Sequence, residues 1–497
     1  MSDRRLSRRS LLGAGALSAL DLTGCDRALS ALTKIAGDRV PDPIEPPSSP
    51  AIDPIHHLLG RAGFGPWPGQ VEEVRRIGKE AYIDAQLDPD AIDDTACALR
   101  TSVIDTVATP TSLLFEFPPE QVEVELQRHA LLRAVYSKRQ LYEVMVEFWT
   151  DHFNVAIGKS LCRHLKTADD RDVIRAHALG RFRDLLGASA LSPAMLVYLD
   201  GRANARGPKG ERPNENYARE LMELHTLGLH GGYTQKDVME AARCLTGFVV
   251  REEWAPGLVE FVPERHDDGP KTVLGHVIPA GGGRADVERL LDIVASHPIT
   301  GWFIGEKLCR TFIADRPPAS IVRRAADVFH ETDGDIKKVV RAILLSDELA
   351  ESTWAKIKRP FRLVVSALRA VGADTHAKGD LLDHLTRMGQ PLFSFPTPDG
   401  YPTQGDAWLG TLLWRFNFAL ALAEDRIDGT RVDWEALHHA LRGDGLHGDT
   451  ASLARLARHL FGRAPDETEL AAVAGYGAGR DPRRVALLLS APAFQRY

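Results

Sequence analysis

Cysteine is scarce in this sequence, and its spacing excludes several kinds of site. The 497 residues contain five cysteines, and no two of them form a Cys-x-x-Cys pair. A zinc ribbon, a thioredoxin-like site and a c-type haem attachment site are therefore excluded. One cysteine, Cys25, lies near the N-terminus. The other four are widely spaced, which is more typical of buried small apolar residues than of disulfides; they are Cys97, Cys162, Cys244 and Cys309.

Long apolar runs and an excess of basic residues are also missing. Beyond the N-terminal region no run of eighteen apolar residues occurs, so the sequence predicts no transmembrane helix there. Acidic residues outnumber basic ones by 68 to 61, giving a formal net charge of −7. No nucleic-acid partner is expected, because that function needs a basic face. The absence of a Gly-x-Ser-x-Gly motif excludes a nucleophile elbow.

The N-terminal residues have the features of an export signal. Ser7 to Leu12 reads Ser-Arg-Arg-Ser-Leu-Leu, a twin-arginine pattern, and a short apolar run follows. Leu22-Thr23-Gly24-Cys25 resembles a bacterial lipobox, in which the cysteine is lipidated; a plain cleavage site is the alternative. We expect residues 1–25 to be a twin-arginine lipoprotein signal peptide with Cys25 as the lipidation site. The folded protein would then be exported and anchored on the periplasmic side of the envelope.

The remaining chain divides by composition. Residues 26–54 are rich in proline and serine and predict an extended tether. Residues 55–430 show repeated helical spacing and predict the main helical domain. Residues 431–497 resemble residues 302–349 and predict a C-terminal helical unit. The fold class is mainly α, a multi-helix orthogonal array with a small irregular or β-hairpin insertion near residues 250–280.

The segment from Asn214 to Gly228 carries the most unusual set of polar side chains. It contains three carboxylates, one arginine, two asparagines and one histidine in about four helical turns. On a helical wheel Arg219, Glu220 and Glu223 share one polar arc, and they are the candidate catalytic residues. A solvated face with ion pairs four residues apart would give the same pattern.

Two histidines are predicted to point into the protein. At 100° per residue His152 falls within about 20° of Leu141 and Met145, on the apolar side of its helix. His225 falls between Leu221 and Ala218 on the apolar arc of the helix described above. A buried imidazole needs a hydrogen-bonding partner, so these positions indicate either a ligand site or a satisfied core.

A metal site is one interpretation of these histidines. His152 and His225, together with His266 and Asp267 on a loop, could converge on a divalent transition metal, since imidazole and carboxylate ligands suit zinc, manganese or iron. The spacing matches no established metal motif, and neither His-Glu-x-x-His nor Glu-x-x-His occurs at this point. A buried network of histidine, glutamate, arginine and asparagine that joins helices is the equally physical alternative.

A loop rich in proline and aromatic residues extends from Gly389 to Trp408. Phe395, Tyr401 and Trp408 could line a substrate cleft for a sugar or a peptide. The alternative is that the loop folds back on the helices and fills the edge of the core.

Several separated motifs together resemble one bacterial family. They include His57-Leu58-Leu59-Gly60-Arg61-Ala62-Gly63-Phe64-Gly65, Phe148-Trp149-Thr150-Asp151-His152-Phe153, Pro193 to Asp200, Asn214 to Gly228, Gly232-Tyr233-Thr234-Gln235, Thr246-Gly247-Phe248, His266-Asp267 with Lys271 to Gly275, and Gly389 to Trp408. Over about residues 55–430 the chain resembles the family catalogued as domain of unknown function 1800.

The resemblance implies an exported, mainly helical protein but supplies no reaction. It also implies a neighbouring gene for a second exported protein, similar to sulfatases and phosphatases. The chain departs from the family pattern at Asp151, where asparagine is usual, and at Phe248, where tryptophan is frequent. If position 151 binds a ligand, the added charge would alter that binding.

Two hypotheses for function follow. The first is a lipid-anchored envelope enzyme, with or without a metal, that acts on an envelope or extracellular polymer. The second is a non-catalytic scaffold or assembly partner of the second exported protein, in which the same polar residues form a structural network.

Overall fold

Helices dominate the fold, as the sequence predicts. The computed structural model describes residues 51–206, 212–440, 449–476 and 482–497, so the predicted signal peptide, Cys25 and most of the tether lie outside the described residues. Residues from Ala51 onward cluster as one compact unit. No helix in the described part is long and apolar enough to cross a membrane.

The first half of the chain forms twelve α-helices within the described residues. They are α1 (Pro54–Arg61), α2 (Gln70–Ile77), α3 (Lys79–Gln86), α4 (Thr95–Thr101), α5 (Asp105–Ala108), α6 (Pro119–Tyr136), α7 (Gln140–His152), α8 (Cys162–Asp169), α9 (Phe182–Ala190), α10 (Pro193–Tyr198), α11 (Asn216–Glu220) and α12 (Gln235–Cys244). Helices α8 and α11 continue directly into π-helical turns, Asp170–Arg175 and Leu221–Thr226 respectively.

Two small antiparallel hairpins follow α12, where the sequence predicts one. They are β1 (Phe248–Val250) with β2 (Val259–Phe261), and β3 (Lys271–Val273) with β4 (His276–Ile278). A third two-stranded pairing joins β5 (Asp374–Thr375) to β6 (Thr430–Arg431), across more than fifty residues of chain. The predicted insertion near residues 250–280 is therefore confirmed.

The second half is again helical. Its helices are α13 (Ala285–Ser296), α14 (Pro298–Phe312), α15 (Ala319–Glu331), α16 (Ile336–Leu344), α17 (Asp347–Glu351), α18 (Pro360–Ala370), α19 (Gly379–Arg387), α20 (Leu412–Ala423), α21 (Trp434–Ala440), α22 (Asp449–Phe461), α23 (Glu467–Ala474), α24 (Pro482–Ser490) and α25 (Pro492–Gln495). Helices α14 to α17 have 15, 13, 9 and 5 residues, and helices α22 to α25 have 13, 8, 9 and 4. The internal similarity of the sequence lies in these two runs of four helices.

Local sequence explains several helix starts. Asp53 accepts hydrogen bonds from the N–H groups of Ile55 and His56 and so caps α1. Thr234 and Asp237 form the predicted capping box that begins α12. The four described cysteines are all buried and unpaired, in agreement with their interpretation as small apolar residues.

Helix α7 lies in the middle of the core. Its apolar side buries Leu141, Met145 and Trp149, each less than 1% exposed. Its polar side is also covered, because α6, α18 and the loop around residue 400 pack over it. A helix enclosed on both sides needs internal partners for its charges, and those partners define the site described next.

Candidate functional site

The carboxylates of α7 recur every four residues and are enclosed by cations. Glu143 is 3% exposed and binds Arg133 at 2.6 Å and Arg175 at 3.0 Å. Burial raises the pKa of Glu143, but the two guanidinium groups outweigh it, so the net pKa is lowered. Arg175 reaches this position from the π-helical turn that follows α8, which also supplies Asp170 as a second partner at 2.8 Å. This end of α7 is thus a balanced ionic network.

The other end of α7 is bound by Arg359, the residue just before α18. Its guanidinium donates to Glu147 at 2.6 Å and to Asp151 at 2.5 Å. Burial raises the pKa of the Asp151 carboxyl, while Arg359 acts in the opposite direction. The carboxylate that distinguishes this chain from the family pattern at position 151 therefore has a cationic partner.

His152 follows Asp151 and is 2% exposed, buried as its position on the wheel predicts. Its Nε2–H donates to the main-chain oxygen of His225 at 3.1 Å, which leaves Nδ1 as an acceptor. The Lys307 ammonium donates to that Nδ1 at 2.9 Å. Burial first, and Lys307 second, hold the pKa of His152 well below its usual range, so the ring is neutral at pH 7.

Lys307 lies on α14 and has an unusual environment for a lysine. No carboxylate of the described residues forms an ion pair with its ammonium, and its one hydrogen-bond acceptor there is His152. Burial lowers the pKa of Lys307 to about 8, and the nearby Asp151 and Asp399 charges limit that fall. A lysine with such a pKa both holds and releases a proton near neutral pH.

The Lys307 ammonium borders a small cavity of about 50 Å³. We call this cavity the Lys307 pocket; its polar wall is formed by Glu147, Asp151, His152, Lys307, Thr311, Lys356, Arg359, Arg362, Asp399, Tyr401, Thr403 and Tyr497. A volume of this size holds a few water molecules or one small functional group, but not a whole sugar or nucleotide. The pocket therefore suits the end or a side group of a larger molecule.

The loop of residues 389–408 closes one side of the pocket through a tight contact at Gly400. Gly400 has a φ of +74°, and a Cβ atom built there would lie 2.2 Å from the main-chain oxygen of Asp151. Only glycine satisfies both conditions without strain. This contact holds the exposed Asp399 and the buried Tyr401 on either side of it, and both line the pocket.

The predicted aromatic cleft residues do cluster, but mostly with one another. The ring centroids of Phe395 and Tyr401 are 4.7 Å apart, and those of Tyr401 and Trp408 are 6.1 Å apart. Tyr401 donates its hydroxyl to Pro391 O, and Trp408 donates Nε1–H to Pro402 O. Because the polar ends are used within the loop, the rings stabilise its shape, and Tyr401 alone of the three lines the Lys307 pocket.

The polar segment from Asn214 to Gly228 divides into two parts in the structure. It is α-helical only to Glu220 and then turns as a π-helix, with the Leu227 N–H bonded to Met222 O five residues earlier. The arginine of the segment, Arg219, binds Glu215 and Gln235, joining α11 to the start of α12. This contact explains Arg219 as a link between helices.

Glu220 and Glu223 differ from Arg219 in having no hydrogen bond or ion pair within the described residues. Burial, Glu223 and Asp399 raise the pKa of Glu220. Glu220 is thus close enough to Asp399, which lines the Lys307 pocket, for the two charges to interact. Catalytic roles for these two residues remain predictions.

The structure separates the four predicted metal ligands into two groups. The ring centroids of His152 and His225 lie 6.1 Å apart, and both ring nitrogens of His225 are buried without a hydrogen-bonding partner among the described residues. His266 instead contacts Thr246 and Asp286, and Asp267 forms an ion pair with Arg243. Within the described ranges no group of three or more histidine, cysteine, aspartate or glutamate side chains is arranged to hold a metal ion.

Lys307 and Arg359 were not among the residues singled out from the sequence. A signal for Lys307 exists: on the wheel of α14 it falls within about 60° of Ile304 and about 20° of Thr300, on the buried side of the helix. Arg359 gives no comparable signal, because it precedes a helix and its partner Asp151 is 208 residues away in sequence. The proline that follows Arg359 marks only a helix start.

The fold and the site together define a mainly helical protein built around a central helix whose charges are paired inside the core. The chain belongs to the family described as "Protein of unknown function (DUF1800)", which matches residues 57–496. The match confirms the resemblance seen in the sequence and extends it past residue 430 to α25. Neither the curated proteins nor the solved structures contain a match to this chain.

Proposed function

We propose that this protein is an exported envelope enzyme whose acid–base site is the Lys307 pocket. The observation that carries the proposal is the pairing of a partly buried lysine with a neutral, tautomerically fixed histidine at a cavity. A structural lysine at this depth would be bound to a carboxylate, as charged groups in cores usually are. Lys307 instead keeps its exchangeable proton next to open space.

The chemistry follows from the groups around the cavity. Lys307, with a pKa of about 8, donates a proton to a substrate atom in the pocket or, once deprotonated, accepts one. His152 orients the amine through Nδ1, and Arg359 holds Asp151 beside it. Four cations and three carboxylates line the cavity, so an acidic or hydroxyl-bearing group of the substrate is favoured. The small volume places the rest of the substrate outside, which suits a polymer.

Complementation tests the proposal. A deletion strain of the source bacterium would receive the wild-type gene, Lys307→Met, or the control Lys378→Met, which removes an exposed lysine paired with Asp428. We expect Lys307→Met to fold and to be exported at wild-type abundance but to fail in restoring the deletion phenotype, while the control restores it. Full restoration by Lys307→Met at equal abundance would contradict an acid–base role.

The cellular location is part of the same proposal. We expect a Cys25→Ala variant to lose incorporation of labelled fatty acid and to leave the membrane fraction, because the thiol of Cys25 is the predicted point of lipid attachment. Replacing Arg8 and Arg9 with lysine should leave the protein in the cytoplasm. Fatty-acid labelling that persists in Cys25→Ala would contradict the anchor but leave the pocket proposal intact.

A scaffold role is the second candidate, and one surface feature favours it. Leu409, Leu412 and Leu413 are 51%, 60% and 67% exposed, and their spacing places them on one side of the chain at the start of α20. Exposed apolar clusters of this kind mark protein contacts. The double variant Leu412→Glu/Leu413→Glu should release a co-purifying exported partner, whereas Lys307→Met should retain it. The opposite pattern would favour a pocket-dependent partner.

A further inference from the structure

A second, smaller cavity shares Arg362 and Tyr497 with the Lys307 pocket and is lined by several cations. Its volume is about 30 Å³, and it is enclosed by α1, α18 and the last residues of the chain. Lys358, Arg362 and Arg496 line it together with two histidines, His56 and His57. No aspartate or glutamate side chain belongs to the lining.

Lys358 is the residue that makes the cavity unusual. It is 8% exposed, and its ammonium lies 3.6 Å above the centre of the Phe494 ring. Among the described residues, no hydrogen-bond acceptor and no carboxylate pairs with this ammonium. Burial, Arg362 and Arg415 all act to lower the pKa of Lys358. A buried ammonium without an anion is costly, because desolvation is not offset.

The neighbouring cations are no better compensated. Arg362 donates to the main-chain oxygens of Gly60 and Gly63, and its nearest carboxylate, Glu147 at 3.8 Å, already binds Arg359. Arg61 is fully buried and donates to one carbonyl, and its other two guanidinium nitrogens have no partner in the part of the chain that the structure describes.

The Tyr497 ring lies against both of these guanidinium groups, each 4.7 Å from its centre. The region therefore has a local excess of buried positive charge. It also has guanidinium hydrogens, on Arg61, that no group of the described residues accepts.

We propose that the Lys358 cavity binds a small monovalent anion, a halide or a carboxylate of the size of formate. The lysine supplies the charge, Phe494 supplies an apolar floor, and Arg362 adds a second cation from α18. The volume exceeds the roughly 10–15 Å³ that one water molecule needs but is too small for a substituted phosphate. Bound there, the anion balances Lys358 and joins α1, α18 and α25.

Thermal unfolding at constant ionic strength tests this site. Wild type would be measured in gluconate, which is too large for the cavity, and with chloride or formate replacing it. We expect the melting temperature to rise by about 1–3 °C at ten times the dissociation constant. In Lys358→Met, which keeps the length of the side chain and removes the charge, the rise should vanish. The control Lys378→Met should keep the rise. An equal response of wild type and Lys358→Met would overturn the proposal.

A second measurement does not depend on the variant folding. Binding of chloride to wild-type protein broadens the chloride NMR line, and formate should remove that broadening by competition while gluconate should not. If the chloride line is not broadened, or if formate does not remove the broadening, the proposal is overturned. Neither result bears on the acid–base role of Lys307, because the readouts require no turnover.

Discussion

Two lysines in this molecule, the partly buried Lys307 and the buried Lys271, differ in what surrounds them. Lys271, on β3, uses its three N–H groups on Asp286, Gly269 O and Asp267 O, and it is 1% exposed. Lys307 has one acceptor within the described residues, a neutral imidazole, and borders a cavity. Both regions also contain a histidine and an aspartate. The residue types are therefore the same in the two regions. The number of hydrogen-bonding and ionic partners of the lysine distinguishes the structural network around Lys271 from the candidate site around Lys307.

The largest loss of stability is expected in the network around Lys271. Asp286→Ala removes the carboxylate that binds Lys271 at 2.5 Å and His266 at 3.2 Å, and it leaves a fully buried ammonium without its counter-charge. We expect a loss of about 3–5 kcal/mol in the free energy of unfolding. Denaturant unfolding measures it, with Asp268→Ala as a control at the adjacent, more exposed loop. A loss below about 1 kcal/mol would show that the ion pairs of Lys271 are not a structural requirement, and the contrast with Lys307 would fail.

The loop over the Lys307 pocket should give the next effect. Gly400→Ala brings a methyl group to 2.2 Å from Asp151 O at a φ of +74°, so we expect a loss of about 3 kcal/mol from strain and overlap. Gly389→Ala is the matched control, because its φ is +85° but its nearest neighbour is 4.0 Å away. The control should lose about 1 kcal/mol. Equal losses would mean that the contact with Asp151 adds nothing.

The two inward histidines allow a sharper comparison inside the candidate site. His152→Leu leaves Lys307 and the oxygen of His225 without partners, and we expect it to cost about 2 kcal/mol. His225→Leu removes a ring with no hydrogen bond and should change stability by less than about 1 kcal/mol. Chelator should not alter either result. If both variants lost the same amount of stability, and chelator caused the same loss in wild type, a metal shared by the two rings would be favoured.

The smallest effect is expected for the carboxylate of Glu220, which interacts with Asp399 of the Lys307 pocket. Burial, Glu223 and Asp399 raise the folded-state pKa of Glu220, so the folded protein binds more protons than the unfolded chain and loses stability as pH rises from 4.5 through the raised value. Glu220→Gln should remove that loss and stabilise at pH 7 by about 0.5 kcal/mol. Glu215→Gln, which breaks the pair with Arg219, should destabilise slightly. If both substitutions changed the stability in the same direction, the electrostatic account would be contradicted.

The sequence predicts the fold better than it predicts the site. Helical spacing, the capping box at Thr234 and the insertion near residues 250–280 depend on local residues, and the structure has all three. The buried positions of His152 and His225 were also predicted, because each lies among apolar neighbours on its helix.

The site depends on contacts that no local pattern encodes. The polar side of α7 is enclosed by Arg133, Arg175 and Arg359, which come from other parts of the chain. The π-helical turn after Glu220 changes the angle per residue, so a wheel drawn at 100° gives only the approximate direction of the side chains beyond it, and the burial of His225 is predicted all the same. Pairing between remote residues decides which charges are structural and which face a cavity.

The titration of the Lys307 amine tests the central claim most directly. Carbon NMR of the ε-carbon in lysine-labelled protein, assigned by comparison with Lys307→Arg, follows that one group across pH. We expect a pKa of about 8 in wild type and a different value in His152→Leu, where burial remains and the acceptor is gone. A titration at 10.5, the ordinary value for lysine, with no response to His152→Leu would contradict the account.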